Sequence, residues 1–205
     1  MISHEHVGYY TIISFQNLVN NHNLYINDIF FNEMNGGSVR FFCSKNNNSN
    51  KKILDLINDE KLIGLDKPKV YKDLMKEINA LKNKINGFLS QEVSNGKKIA
   101  LYGASTRNET VLQYCNIDEN LLYAASERNP DKIGLYTAGS RIPIKSEDEI
   151  RKDNPEYLFI GPYYFVDEFI DRERQYLLSG GKFILALPQP MIIENLNGKI
   201  HKQLI

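Results

Sequence analysis

The chain has 205 residues, with 25 basic and 25 acidic side chains and therefore no net charge. This length accommodates one ordinary domain with appended elements, but not a second full-sized enzyme domain. The balanced charge gives no reason to expect nucleic acid as a partner. The two cysteines, Cys43 and Cys115, lie far apart without a Cys-x-x-Cys spacing. The sequence therefore predicts neither a disulfide framework nor a zinc site.

The amino-terminal sequence, MISHEHVGYY, has neither the basic start nor the apolar core of a signal peptide. No apolar run approaches the length that spans a membrane. The two cysteines are typical of free thiols in a reducing compartment. We therefore expect a cytoplasmic protein without a membrane partner.

The first half of the chain divides into two predicted parts. Residues 1–45 contain a helical pattern, SFQNLVNNHNL, and then two apolar runs around Asn35-Gly36-Gly37, which predicts a β-hairpin. Residues 46–96 are polar and charged, and KNNNSNKK is predicted to be a solvated loop. After Pro68, apolar residues recur every three or four positions, which predicts one long amphipathic helix from about Lys69 to Val93.

Residues 97–205 alternate short apolar runs with helical segments. The runs are KIALYG, LLYAASE, RIPI, YLFIGP and KFILALP, and helices are predicted up to about Cys115, from Ser146, and from Val166 to Leu178. Ser146 and Glu149 fit a capping box. Because parallel neighbours need long connections, this alternation predicts an α/β fold, a Rossmann-like parallel sheet with crossover helices.

Ligands of open parallel sheets bind at the carboxyl ends of the strands, so the strand-to-helix turns are candidate sites. In the first, KKIALYGASTRNETVLQY, Gly103 permits a sharp turn and the following helix offers free backbone N–H groups. Ser105 is placed to cap that helix, and Arg107 suits a phosphate or a carboxylate. The pattern is neither GxGxxG nor a P-loop, so an anion site and a plain turn are both open.

Two further turns are candidates for different reasons. In SERNPDKIG, Glu127 ends a predicted strand, where it either contacts a ribose or pairs with Arg128 or Lys132. In IGPYYFVDE, the aromatic residues Tyr163 to Phe165 either wall a sugar or base pocket or pack in the core.

The amino terminus places His4, Glu5 and His6 close together. Metal ligation would need histidines at helical i, i+4 spacing or a third ligand nearby, and neither is present, so we expect no metal. One positioned histidine is enough for a general base, and a solvated histidine pair is the alternative.

The segments together resemble the sugar C-methyltransferases, which methylate a carbon of nucleotide-linked deoxy-keto sugars. The segments YGASTRNETVLQY, ERNPDKIGLYTAGSRIPIKSEDEI and PEYLFIGPYYFVDEFIDRERQYLLSGGKFILALP are similar, in this order, to the family's C-terminal domain. The segments HEHVGYYTIISFQNLVNNHNL and NGGSVRFF are similar to the last helix and hairpin of its methyltransferase domain. The resemblance thus assigns residues 1–45 to the end of a methyltransferase domain, 46–96 to a linker and 97–205 to the C-terminal domain.

The family's zinc-binding module and the glycine-rich half that holds S-adenosylmethionine have no counterpart in this sequence. We therefore expect a separately encoded or truncated C-terminal piece that does not bind the methyl donor by itself. Activity would then require a separate methyltransferase chain that provides the donor.

The resemblance also implies roles for particular residues. His6, paired with Glu5, would remove the proton from the carbon next to the keto group, and the resulting enolate would attack the methyl sulfonium. The nucleotide-linked sugar would be held by residues of the first and third turns, namely Gly103, Ser105, Arg107, Thr110, Tyr163, Tyr164 and Phe165.

The sequence departs from the family pattern at several of these positions. Ser3 stands where the family usually has a tyrosine, and Tyr163-Tyr164 replace its usual Trp-His. Asn108-Glu109 replace Gly-Asn, and Glu109 is expected to place a negative charge where a phosphate would come. These departures leave open a non-catalytic module for binding a nucleotide sugar or a protein. A dinucleotide-dependent oxidoreductase is less well supported, because the first turn lacks the glycines of the phosphate loop.

Overall fold

The chain forms two compact units in the computed structural model, which describes residues 6–48 and 50–205. The N-terminal unit extends to Ile78, and the C-terminal unit runs from Asn79 to Ile205. Within the described residues, no helix is both long enough and apolar enough to cross a membrane.

The N-terminal unit contains the predicted helix and hairpin. Its elements are α1 (Ile12–Asn20), β1 (Tyr25–Asn32), β2 (Ser38–Ser44) and α2 (Lys51–Ile63). The two strands pair antiparallel, with a short 3-10 turn at Met34–Gly36, which confirms the predicted hairpin. Helix α1, the hairpin and α2 bury a core that includes Ile26, Ile29 and Ile53.

Helix α2 was not predicted, because its sequence lies in the polar stretch between the hairpin and Pro68. The Asn50 side chain caps its start by accepting a hydrogen bond from the Ile53 N–H at 3.3 Å. Gly64, with a φ of +84°, ends it in the left-handed conformation. The polar composition of this stretch therefore did not indicate a helix, although both ends of α2 have ordinary capping residues.

The long amphipathic helix is confirmed as α3 (Pro68–Ser94). Its last turns bury Ile85 and Leu89 within the C-terminal unit. Burial of these two residues stabilises the end of the helix, whereas Leu74, in the same apolar stripe, is 49% exposed.

The C-terminal unit has a sheet of seven strands in the order β5-β4-β3-β6-β7-β8-β9. Five strands are parallel, as predicted: β3 (Ile99–Tyr102), β4 (Ala124–Glu127), β5 (Ile144–Ser146), β6 (Tyr157–Ile160) and β7 (Lys182–Leu185). The last two were not predicted and pair antiparallel: β8 (Met191–Leu196) and β9 (Lys199–Leu204). The fold is thus α/β with a mostly parallel sheet.

Helices pack on the sheet of the C-terminal unit and complete two apolar clusters. They are α4 (Thr106–Cys115), α5 (Glu147–Asp153), α6 (Val166–Arg172) and α7 (Arg174–Leu178). One cluster joins Leu112 of α4 to Leu101 and Phe159 of the sheet. The other joins Leu177 of α7 to Phe183. Both clusters fix the strands whose ends form the site described below.

Two of the helix predictions can be compared in detail. The capping box at the start of α5 is confirmed, since Ser146 and Glu149 exchange both expected hydrogen bonds. The single helix predicted from Val166 to Leu178 is wrong, because the chain is interrupted at Glu173 between α6 and α7. The Glu173 side chain is buried against charged partners, which the helical pattern did not indicate.

Candidate functional site

A cavity of about 440 Å³ lies at the carboxyl edge of the parallel sheet, next to the ends of β3 and β4 and the turn after β6. These strands are neighbours in the sheet, so residues from distant parts of the sequence meet here. Among the residues predicted from the sequence, Gly103, Ser105, Arg107 and Phe165 line the cavity, whereas Thr110, Tyr163 and Tyr164 do not.

Basic side chains predominate slightly in the cavity lining. Four basic side chains and three carboxylates line it, namely Arg107, Arg128, Lys132, Arg172, Glu127, Glu147 and Glu168. One positive charge is therefore in excess. Arginine is well suited to bind phosphate or carboxylate through two hydrogen bonds, so the cavity has the chemistry of an anion site.

The turn after β3 supplies backbone groups to the cavity. Gly103 has a φ of +85°, a backbone conformation that residues with a side chain rarely adopt. Ser105 is the N-cap residue of α4, but its side chain makes no capping hydrogen bond. Because the first N–H groups of a helix have no acceptor within the helix, this end of α4 can donate to an anion.

Asn108 joins the turn after β3 to the turn after β6. Its side-chain amide donates to the carbonyl of Gly103, and its side chain is almost fully buried. A Cβ atom at Gly161 would overlap the Asn108 carboxamide. Asn108 therefore contributes to packing between the two turns, and Gly161 is needed to make room for it.

Glu109 does not lie where the sequence predicted. Its carboxylate is buried, accepts a hydrogen bond from the Ser140 hydroxyl at 3.2 Å, and does not line the cavity. Burial raises the pKa of Glu109, although hydrogen bonds from Gln113 and Ser140 partly oppose this effect. The negative charge expected from Glu109 is thus not part of the cavity wall.

Glu109→Gln is expected to stabilise the C-terminal unit at neutral pH. A carboxyl whose pKa is raised by folding makes the native state less stable as the pH rises above the carboxyl's ordinary value. Glutamine can still accept from Ser140 but carries no charge to desolvate. The advantage of the variant in urea unfolding should therefore be larger at pH 7.5 than at pH 4.5.

The matched control for this measurement is Glu77→Gln, at an exposed position on α3. This control should change the urea midpoint little at either pH. An advantage of Glu109→Gln that does not depend on pH would contradict the explanation.

Arg107 is the basic residue of the cavity whose side chain has no ion-pair or hydrogen-bond partner among the described residues. Its guanidinium lies 5.7 Å from the centre of the Phe165 ring, a cation–π distance. Within residues 6–48 and 50–205, no carboxylate forms an ion pair with it. Its hydrogen-bond donors are therefore available to a ligand.

The carboxylate of Glu127, at the end of β4, forms its hydrogen bonds within its own turn. Its carboxylate accepts from the N–H groups of Arg128 at 2.8 Å and Asn129 at 3.2 Å, and Lys132 lies at 3.3 Å. Burial acts to raise the pKa of Glu127, but these hydrogen bonds outweigh it and lower the pKa below its ordinary value. Lys132 also donates to the Ala104 carbonyl at 3.1 Å, so it links this turn to the first one.

A polar cluster forms around the buried Glu173 carboxylate and includes Tyr102 of the cavity lining. The Tyr102 hydroxyl donates to Glu173 at 2.8 Å, and Arg151 donates two hydrogen bonds to the same carboxylate at 2.9 and 3.0 Å. Burial, reinforced by Glu173, raises the pKa of Tyr102 far above its usual range. Tyr102 is therefore a hydrogen-bond donor at neutral pH and cannot act as a base.

The remaining aromatic residues of the third turn pack against one another. The Tyr163 and Tyr164 ring centroids are 5.5 Å apart, and those of Tyr164 and Phe165 are 4.7 Å apart. Tyr163 also packs against the cluster that contains Leu177 and Phe183. Of the three rings, only that of Phe165 belongs to the cavity wall.

The histidine predicted for catalysis belongs to the N-terminal unit. Glu5 lies outside the described residues, whereas His6 is exposed and its ring lies edge-on to Tyr9 with centroids 5.9 Å apart. Among the residues that the structure describes, no three His, Cys, Asp or Glu side chains are grouped as metal ligands.

The sequence patterns assign no binding role to three of the cavity's basic residues. The sequence predicts Arg128 and Lys132 only as ion-pair partners of Glu127, and no local pattern indicates a role for Arg172. The two turn residues follow a strand end, which was a usable indication. Arg172 lies on α6, and only the packing of that helix brings it to the cavity.

Comparison with known proteins identifies the family of this chain. A profile of the C-methyltransferase C-terminal domain matches residues 33–188, so the chain belongs to the C-methyltransferase family and represents its C-terminal portion. This finding confirms the relationship predicted from the sequence motifs.

One relative is the C-methyltransferase NovU of Streptomyces niveus, which is 27% identical over 195 residues. The match covers 94% of this chain and 46% of NovU. The chain therefore spans about half the length of that relative.

Proposed function

We propose that this chain is the C-terminal, nucleotide-sugar-binding part of an S-adenosylmethionine-dependent sugar C-methyltransferase. The observation that supports the proposal most directly is the basic cavity at the carboxyl edge of the sheet, in a chain of the C-methyltransferase family. The diphosphate of a nucleotide-linked sugar is an anion that arginine binds well. Arg107 and the first turn of α4 are the groups that we assign to this diphosphate.

We assign the methyl donor to a site other than this cavity. The sulfonium of S-adenosylmethionine is a cation, and the excess of basic side chains in the cavity disfavours it. The methyl group would be supplied by S-adenosylmethionine bound outside the C-terminal unit. We therefore infer that a separate methyltransferase chain, or another part of the protein, provides the donor site.

The described part of the N-terminal unit has a surface that such a partner would cover. Among the described residues, β1 and β2 form a two-stranded sheet without a third strand. Phe30 is 54% exposed and Phe42 is 48% exposed. Exposed aromatic groups of this kind are typical of contact surfaces, and a two-stranded sheet gains stability from further pairing.

The proposed role of His6 is to remove the proton from the carbon next to the keto group of the sugar. Imidazole is the side chain most often used for such proton transfer near neutral pH. The exposed ring of His6 is open to a substrate. Glu5 would support the histidine, as the family resemblance implies.

Arg107→Ala is expected to weaken binding of a nucleoside diphosphate sugar by about 10- to 100-fold, the effect of losing a charged hydrogen bond. Isothermal calorimetry with uridine and thymidine diphosphate sugars measures this effect. Arg174→Ala is the matched control, because Arg174 is exposed in the same unit and does not line the cavity. If neither sugar nucleotide binds the unaltered chain, the nucleotide-sugar assignment fails.

A non-catalytic binding module is the second candidate, favoured by the departures from the family pattern at Ser3 and at Tyr163-Tyr164. Calorimetry with the sugar nucleotides and with S-adenosylmethionine separates the possibilities. Binding of the sugar nucleotide without the donor fits both candidates, and a methyl-transfer assay then decides between them. Binding of neither compound would favour a scaffold.

A further inference from the structure

Glu147 lies among three arginines at the wall of the cavity. Its Oε1 atom is 3.1 Å from the Nε of Arg128 and also accepts from Arg172, and its Oε2 atom is 3.8 Å from Arg151. The Glu147 side chain is only 24% exposed. One carboxylate therefore connects the end of β4, the start of α5 and the end of α6.

The position of Glu147 is well defined by the local structure. Glu147 is the first residue of α5, and the capping box of Ser146 and Glu149 fixes the backbone immediately before it. Ser146 is also the last residue of β5, which pairs with Glu127 of β4. The carboxylate is consequently attached to a backbone held by both a helix and the sheet.

Arg172 is immobilised by three groups. Glu147 accepts a hydrogen bond from it, Glu173 lies 3.5 Å from its Nε, and its guanidinium is 5.4 Å from the centre of the Tyr102 ring. Arg172 also lines the cavity, so these contacts hold a cation at the wall of the anion site.

Arg128 is held at one side and open at the other. It donates its Nε to Glu147 at 3.1 Å, and its side chain is 65% exposed. In the described part of the chain, no protein group accepts a hydrogen bond from its two terminal nitrogens. Those nitrogens are free to bind a phosphate while Glu147 fixes the Nε.

We propose that Glu147 is a positioning residue that holds Arg128 and Arg172 for the diphosphate of the ligand, an inference that rests on the proposed function. A flexible arginine loses conformational freedom when it binds, and a carboxylate that fixes it in advance reduces that loss. Glu147 also places a negative charge at the cavity, and repulsion between this charge and the diphosphate would weaken binding. The two effects predict changes of opposite sign.

Binding of inorganic diphosphate, measured by calorimetry, tests this role. Glu147→Ala should weaken binding by about tenfold, since Arg128 loses its only ion-pair partner among the described residues and Arg172 loses one of its three contacts. Glu147→Gln retains an acceptor and should be affected less. If both variants bind diphosphate more tightly than the unaltered chain, repulsion is dominant and the positioning role is wrong.

Glu168→Gln is the matched control, because Glu168 lines the same cavity and no basic side chain in the described residues pairs with it. Removing this charge without releasing an arginine should make diphosphate binding slightly tighter. The contrast in sign between residues 147 and 168 separates positioning from the overall charge of the cavity.

A double-mutant cycle excludes a merely structural effect. In an Arg128→Ala background, the loss caused by Glu147→Ala should shrink, because one of the two arginines that it supports is gone. An undiminished loss, or one that parallels a fall in the unfolding temperature, would overturn the proposal. If the unaltered chain binds neither diphosphate nor a sugar nucleotide, the proposed function is wrong, and this outcome is distinct from a failure of the positioning role alone.

Discussion

Replacing His6 by alanine is expected to lower methyl transfer by about 10²- to 10⁴-fold, the usual contribution of a positioned general base. The proton on the carbon next to the keto group would lose its acceptor, and the nucleophilic carbon would form slowly. The assay combines the chain with a candidate donor-binding chain, S-adenosylmethionine and a nucleoside diphosphate keto-sugar. Mass spectrometry of the sugar nucleotide measures the product.

Exchange of the same proton for deuterium in heavy water gives a second measurement that does not require the donor. NMR of the keto-sugar should show exchange with the unaltered chain and little exchange with His6→Ala. His201→Ala, at an exposed position on β9, is the control and should retain both activities. Full activity of the His6 variant in both assays would rule out this histidine as the base.

Phe159→Ala is expected to lower the free energy of unfolding of the C-terminal unit by about 3–5 kcal/mol, the usual cost of removing a buried aromatic ring. Phe159 is fully buried on β6, between β3 and β7 at the centre of the sheet. Its ring belongs to the cluster that includes Leu101 and Leu112, which position the turn after β3. Loss of the ring leaves a cavity that the packed strands cannot close.

Urea unfolding followed by circular dichroism measures this loss, since the chain has no tryptophan to report by fluorescence. Phe30→Ala is the matched control, because Phe30 lies on β1 and is 54% exposed. The control should change the free energy of unfolding by well under 1 kcal/mol. Equal losses in the two variants would show that burial on β6 is not the source of the effect.

Long periodic patterns in the sequence were sufficient to predict much of the fold. Helix α3 followed from apolar residues recurring at helical spacing, and the parallel strands from short apolar runs separated by helices. The β8–β9 hairpin was missed although Asn197-Gly198 joins its strands, the same kind of pair that predicted the first hairpin. The second hairpin could therefore have been predicted from the sequence. The helix break at Glu173 could not, because the Glu173 carboxylate contacts Arg151 and Tyr102, which lie far from it in the chain.

The turn that contains Gly103 and Arg107 was identified from the sequence because strand ends and helix starts are local features. The sequence did not predict the environment of each side chain in this turn. Successive residues of a helix point about 100° apart, so Arg107 reaches the cavity while Glu109 turns to Ser140.

The sequence by itself determined the class of fold, the family and the edge of the sheet at which a ligand would bind, because these depend on local periodicity and on motifs. Only the tertiary structure decided which charges face the cavity. Tyr102 and Glu173 are 71 positions apart in the chain yet share a hydrogen bond. Arg172 and Glu147 likewise meet only because α6 and α5 both contribute to the apolar cluster that includes Tyr102 of β3. Contacts of this kind arise from the packing of whole elements, which no local pattern encodes.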